Sequence, residues 1–231
     1  MFNDLNIKKE QLPNTIPVFP LTGALILPGV ELPLNIFEPK YVKMVDDALS
    51  EKRLIGIIQP NNSLFSKLSK TKGLYKYGCA GRIRAFNETD DGRYLIVLSG
   101  ISRFEIEEEI PTIRGYRRFR VNWNEFLEDF NYRDEWASFK IEQGRKALFE
   151  KIDSYLTKGN HNASLASISS FNNVDDGFIV DFLASYLPFN SEEKQLFLEC
   201  KTLQERAKAM FKVLGLAEAE AKFANINKTI H

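Results

Sequence analysis

Two Ser-x-x-Lys spacings, Ser69/Lys72 and Ser191/Lys194, come closest to a reactive arrangement in this chain, because a lysine amine beside a serine hydroxyl can take its proton and make it a nucleophile. Their settings argue against that chemistry. Ser69 and Lys72 fall in the Lys/Ser-rich run 66–72, which reads as a loop, and Ser191 is a first-turn residue of a helical segment. A Ser-His-Asp triad would have to draw on His161, inside the polar run Lys158-Gly159-Asn160-His161-Asn162, since the other histidine is His231. Gly-x-Ser-x-Gly, the phosphate-cradling Gly-x-x-x-x-Gly-Lys-Ser/Thr and GxGxxG are all absent. Cys79 and Cys200 are far apart with no CxxC, so neither a disulfide framework nor a structural zinc site fits. The expectation is a protein with no catalytic residues, no cofactor and no metal, turning over neither ATP nor casein.

The chain has 231 residues, 44% of them hydrophobic and 27% charged, with 31 Lys+Arg against 31 Asp+Glu. That balance fits a globular protein with a sizeable core and excludes a disordered chain or a polybasic tail. No apolar run is long enough to span a bilayer, and Met1–Lys9 lacks the apolar stretch of a signal peptide. The sequence therefore predicts a cytoplasmic protein with no membrane partner.

The hydrophobic period changes along the chain. From Ile16 to about Trp123, short alternating segments are broken by Gly, Pro and Asn, whereas from about Asp134 to Asn225 the apolar residues recur at helical spacing. Two parts are expected, 1–125 and 126–231, with a boundary near 124–133. Val30, Leu32, Leu34 and Ile36 take one side of a strand whose Pro33 suggests an edge or bulge. Glu38-Pro39 then opens a helix over about 39–50, with Glu38 as its acidic cap. Further strands are predicted at Leu54–Gln59, Tyr77–Glu88, Arg93–Leu98, Arg103–Glu109 and Tyr116–Trp123, with Asp90-Asp91-Gly92 as a hairpin turn and a long, mobile loop at 60–76. Seven or so strands and one helix suggest a closed or nearly closed barrel. In the second part, Ala137, Ile141, Leu148, Ile152 and Tyr155 form one stripe and Leu203, Ala207, Met210, Phe211 and Leu214 another. Asn190/Glu193 and Thr202/Glu205 have capping-box spacing, and Asn173 can cap a helix over Val174–Leu187 that Pro188 ends. A bundle of four or five helices follows. Trp123, Phe126, Phe130 and Trp136 are expected to pack between the two parts.

Several strings in register resemble the amino-terminal substrate-binding domain of Lon proteases: Ile16-Pro17-Val18-Phe19-Pro20-Leu21, Leu27-Pro28-Gly29-Val30, Leu32–Tyr41, Gly78-Cys79-Ala80-Gly81-x-Ile83, Gly100-x-x-Arg103-Phe104-x-Ile106, Gln195-x-x-Leu198-Glu199 and Leu203-x-x-Arg206. The resemblance spans about residues 15–215. It implies an α+β fold in which a PUA-like β-barrel, or pseudobarrel, precedes an α-helical bundle. It also implies a stand-alone, non-catalytic form of that domain, with no ATPase or peptidase modules, binding exposed or unfolded protein segments, possible protease clients, or a partner protein. Pro28, Phe37, Glu38, Tyr41, Arg103 and Phe104 are the motif residues that could serve such binding, by apolar contact and by strand addition at an open edge. Against this stands an architectural reading of the same residues, in which Glu38 and Arg103 pair with each other or bind nearby backbone groups and so fix the helix to the barrel.

A nucleic-acid alternative rests on Arg114, Tyr116, Arg118 and Arg120, which interleave basic and aromatic residues as RNA-binding surfaces do. Charge argues against it. The first 125 residues carry a net charge of +3 and the remainder −3, a weak footprint for a polyanion, and Glu105, Glu107, Glu108 and Glu109 lie close enough in sequence to pair with these arginines across strands.

Overall fold

The computed structural model describes residues 7–69, 71–158, 171 and 173–229. His161 and His231 lie outside the described residues. Six strands form the first part: β1 (Thr15–Pro20), β2 (Glu31–Ile36), β3 (Leu54–Ile58), β4 (Tyr77–Glu88), β5 (Tyr94–Ile110) and β6 (Arg117–Asn122). Their order is β2-β5-β4-β3-β1-β6, and a further β5–β6 pairing closes β5, β4, β3, β1 and β6 into a ring with β2 attached outside it. Only β1 and β3 run parallel.

The alternation of side chains explains the ring. Leu54, Gly56 and Ile58 of β3 turn inward, toward Ile16, Val18, Ala80, Phe104, Phe119 and Val121 in the barrel interior. Ile55 and Ile57 turn outward, into a second core shared with the helices. All five residues of β3 are consequently buried, which is why this strand reads as an unbroken apolar run. In β2 the alternation places Glu31, Pro33 and Asn35 on the exposed side, and the strand is an edge, as Pro33 requires.

The structure departs from the sequence expectation at several places. The segments predicted at Arg93–Leu98 and Arg103–Glu109 are one continuous strand, β5, because Gly100 does not turn the chain. It supplies close approach instead: its N–H donates to the Val30 carbonyl and its carbonyl accepts from the Gly29 N–H, both at 2.9 Å, while a register shift beside it leaves Ile101 as a bulge. The loop at 60–76 carries a short helix, α2 (Leu64–Leu68). Helix α1 runs Pro39–Ser50, but its N-cap residue Glu38 makes no side-chain capping bond. The 137–155 stripe is interrupted: α3 (Tyr132–Ser138) ends before Ile141, and α4 (Gly144–Lys158) begins at a glycine with φ +80°.

Helices α5 (Asp176–Tyr186), α6 (Ser191–Glu199) and α7 (Leu203–Thr229) complete the second part, which contains no strand among the described residues. Asp175, not Asn173, is the N-cap of α5, and the helix ends at Tyr186 just before Pro188. Both capping boxes form: the Asn190 side chain accepts from the Glu193 N–H and Glu193 from the Asn190 N–H, each at 2.9 Å, while Thr202 and Glu205 repeat the exchange at the head of α7.

One apolar cluster runs from Phe19, Leu25 and Ile57 on the barrel to Ile152, Phe197 and Met210 on the helices, so the two parts share a core. Polar contacts fix the same junction. The Gln59 side chain accepts from the Gly23 N–H and donates to the Ser191 carbonyl, and the buried Lys194 ammonium donates to the carbonyls of Gly23 and Ser185. Burial without a carboxylate partner pushes the Lys194 amine below its usual range. Of the four aromatics expected between the two parts, Trp136 fills the space beside Gly29 and Gly177 and Phe126 packs edge-on to Tyr77 over the Arg103 guanidinium, whereas Trp123, edge-on to Phe104, and Phe130 pack with the barrel interior instead.

Candidate protein-binding surface

The six motif residues separate by burial. Pro28, Arg103 and Phe104 are inside, whereas Phe37 is 63% exposed, Glu38 is exposed, and Tyr41 is half-buried with its ring 4.2 Å from that of Phe19. Glu38 and Arg103 do not meet. Glu38 pairs with Lys40 at 3.1 Å in solvent. The partner of Arg103 is Asp129, in the short helical turn that follows β6: Nη2 donates to Oδ1 at 2.6 Å, and Nε lies 3.0 and 3.1 Å from the two carboxylate oxygens. The remaining guanidinium N–H groups donate to the carbonyls of Leu198, Cys200 and Lys201 at the end of α6, and the Phe126 ring lies 4.0 Å from Cζ. This arginine joins the barrel, the turn after β6 and the bundle.

Among the described residues β2 has an open edge along its whole length, and β4 has a second one beyond Ile83, where it is paired with β5 alone. The Glu31 carbonyl points away from β5, because it accepts a 2.7 Å hydrogen bond from the Tyr186 hydroxyl of α5. By the two-residue alternation of an antiparallel strand, Pro33 and Asn35 face the same free side, and Pro33 has no N–H to offer. Asn35 and the Pro33 carbonyl are what remain for strand addition, with Phe37 just beyond. Burial and the Glu31 charge push the Tyr186 phenol up. Extending from Tyr186, a half-exposed aromatic row follows the outer side of α5: Phe182 at 4.5 Å, then Phe178 at 5.7 Å, then Trp136 of α3 at 5.1 Å. The i, i+4, i+8 spacing of Phe178, Phe182 and Tyr186 carried this row in the sequence, but no sequence feature linked it to the strand edge.

The basic face is occupied by its own carboxylates. Arg118 pairs with Glu51 at 3.1 Å, Arg120 with Glu108 at 2.7 Å and Arg117 with Glu109 at 2.7 Å, while Arg114 lies 3.5 Å from Asp47. Tyr116 is buried, with its hydroxyl donating to the same Asp47. Neither serine–lysine spacing forms a dyad: the Ser69 hydroxyl is shared with Thr71 and the Ser66 carbonyl, Lys72 pairs with Glu109, and Lys194 is held by two carbonyls. No group of His, Cys, Asp and Glu among the described residues could hold a metal ion, and no helix among them is long and apolar enough to cross a membrane.

A five-strand ring with an outer edge strand, a single helix between β2 and β3, and a bundle locked on by a buried arginine define an α+β pseudobarrel with a carboxy-terminal helical part. The chain belongs to the ATP-dependent protease La (LON) substrate-binding domain family, whose model matches residues 15–215. It is 28% identical over 230 residues to a Lon protease of Parabacteroides distasonis, covering 96% of this chain and 26% of that protein. To a Lon protease of Flavobacterium johnsoniae it is 26% identical over 201 residues, covering 87% of this chain and 24% of that one. The chain thus spans about a quarter of the length of the curated relatives it matches. The fold is shared with a Lon N-terminal domain protein from Xanthomonas campestris, at TM-score 0.58 and 19% identity over 86% of this chain and 97% of that one. The N-terminal domain of Mycobacterium avium complex Lon protease gives the same TM-score at 15% identity, over 87% and 98% of the two chains.

Proposed function

We propose that this protein is a non-catalytic recognition module that binds exposed or unfolded segments of other proteins along the free edge of β2 and the aromatic row beside it. The observation that carries the reading is the Tyr186–Glu31 hydrogen bond, which sets a half-exposed aromatic ladder against the open β2 edge of a domain from a substrate-binding family. An extended segment would gain backbone hydrogen bonds at Asn35 and the Pro33 carbonyl. Its apolar side chains would meet Phe37 at one end and Phe182 and Phe178 at the other. Pro33 limits the number of backbone bonds, which favours weak, exchangeable capture over permanent strand addition. Residues 1–125 and 126–231 act in this reading as two subdomains of one body, working in the cytoplasm on clients of the kind a Lon-type protease receives. Arg103 and Phe104 support the surface from below without touching the bound segment.

A carboxymethylated, permanently unfolded protein labelled with a fluorophore provides the test. Wild-type protein is expected to raise its anisotropy, and Phe37→Ser or Phe182→Ser is expected to weaken binding tenfold or more, with the thermal midpoint unchanged for the exposed Phe37 and lowered for Phe182, which also packs on the core. Equal affinity in all three proteins would place binding elsewhere, and no binding by wild type would refute the reading. A salt-dependent RNA shift that depends on Arg118 and Arg120 would favour the nucleic-acid alternative instead.

A further inference from the structure

The most exposed large apolar side chains in the described structure, apart from Ile113, are on α2, away from the β2 edge. Leu64 is 77% exposed, and Phe65 and Leu68 are each 89% exposed. Side chains that keep this much of their surface in water project from a tip, since a groove would cover them. The tip is held from below. Leu74 is buried in the barrel interior, Pro60 bridges to Leu74, the Asn61 N–H donates to the Gly73 carbonyl at 2.8 Å, and Gly73 donates to Ser66 at 2.9 Å. Within the loop Ser63 caps Ser66 and Asn61 accepts from Ser63, which leaves the first-turn N–H groups of Leu64 and Phe65 to solvent. Such a tip suits the interfacial level of a bilayer, where water and headgroups can serve those N–H groups while the side chains reach the acyl boundary.

Charge indicates which medium. From Lys52 to Asn87 the chain holds eight Lys and Arg and no Asp or Glu. Lys67, on α2 itself, has no carboxylate partner among the described residues, while Lys72 at the loop base is tied to Glu109 at 3.2 Å. The base of the β5–β6 hairpin is adjacent, with Arg117 reaching the Thr71 carbonyl, and that hairpin carries the fully exposed Ile113 next to Arg114. The two loops therefore share a base, and each carries an exposed apolar residue, although Arg114 lies against Asp47 and adds little free charge. A protein partner would need a pocket deep enough to enclose a convex tip. A bilayer surface needs none, and although Lys72 and Lys76 at the loop base are paired with Glu109 and Glu105, the tip itself carries Lys67 and no carboxylate, which anionic headgroups complement.

We propose that the α2 loop is a peripheral membrane contact, in which Leu64, Phe65 and Leu68 enter the interface of an anionic bilayer and Lys67 meets its headgroups. This site is independent of the β2 surface. Flotation of the full chain with vesicles of phosphatidylcholine alone, or with about a third phosphatidylglycerol, tests it. Wild type is expected to float with the anionic vesicles, less so as salt rises, and not with the neutral ones. The triple variant Leu64→Ser/Phe65→Ser/Leu68→Ser should float at least tenfold less, with an unchanged thermal midpoint because the three side chains pack against nothing. Lys67→Glu should float several-fold less, and a Phe65→Trp variant should shift its emission to the blue on adding anionic vesicles. Failure of wild type to float with anionic vesicles, equal flotation of the triple variant, or no spectral shift overturns the proposal. A wild-type dimer that the triple variant abolishes, without flotation, would assign the tip to a second copy of this chain instead.

Discussion

Replacing Arg103 by alanine is expected to lower the free energy of unfolding by about 3–5 kcal/mol, the cost of leaving a buried carboxylate without its charge partner. The side chains of Arg103 and Asp129 are 3% and 4% exposed, so water cannot take over the interaction. The loss extends beyond the ion pair. Three carbonyls at the end of α6, those of Leu198, Cys200 and Lys201, lose a donor, and the cation leaves the Phe126 ring. For a domain of this size the thermal midpoint should fall by roughly 6–20 °C. A partial reversal separates the charge effect from packing: Arg103→Met with Asp129→Leu should be closer to wild type than either single variant, because no unpaired ion remains. Thermal and urea denaturation followed by circular dichroism measure wild type, Arg103→Ala, Arg103→Met, Asp129→Leu and the double variant. A single Arg103→Ala variant within about 2 °C of wild type would contradict the assignment of Arg103 as the anchor of the bundle.

This anchor was half legible in the sequence. A charge beside Phe104 and Ile106 in an alternating segment implies a buried or edge position, and a buried charge implies a partner. The partner was not legible. Asp129 lies in Asn124–Asn131, a turn with neither strand nor helix period, where an acidic residue looks like any solvated one. Glu38, by contrast, has the position and charge of a cap, but its carboxylate turns to Lys40 in solvent and leaves the helix N–H groups uncapped. The same limit applies to the candidate surface. Pro33 announces an edge strand and Phe178, Phe182 and Tyr186 share a helix face, yet their meeting at Glu31 depends on how the bundle docks, which no local pattern encodes. The second bundle clamp, Asp181 between Arg206 and the Trp136 indole, joins residues from three helices and is invisible to periodicity for the same reason.

Gly100 carries the second large effect, and it shows how a correct signal can be misread. A glycine between two apolar runs suggested a turn, whereas its role is to let two backbones touch inside one strand. A Cβ at Gly100 would overlap the Leu27 carbonyl oxygen and come within 2.7 Å of its carbon, and both are main-chain atoms that no rotamer change can move. Accommodating alanine requires the 25–30 segment to shift, breaking the 2.9 Å hydrogen bonds of Gly100 with Val30 and Gly29 and displacing Leu25, Ile26, Leu27 and Val30, each no more than 2% exposed. Gly100→Ala is therefore expected to cost about 3 kcal/mol or more, through overpacking and lost core contacts. Gly92→Ala is the control. Its position has φ +76° and nothing within 4 Å, so only backbone strain of about 1 kcal/mol applies. Because the 25–30 segment also seats Gly29 against Tyr132 and Trp136, Gly100→Ala should expose the Trp136 indole and raise its accessibility to a collisional quencher, whereas Gly92→Ala should leave it unchanged. Equal stability of the two variants would show that the segment yields to a methyl group, and the close approach at Gly100 would then be incidental to the fold.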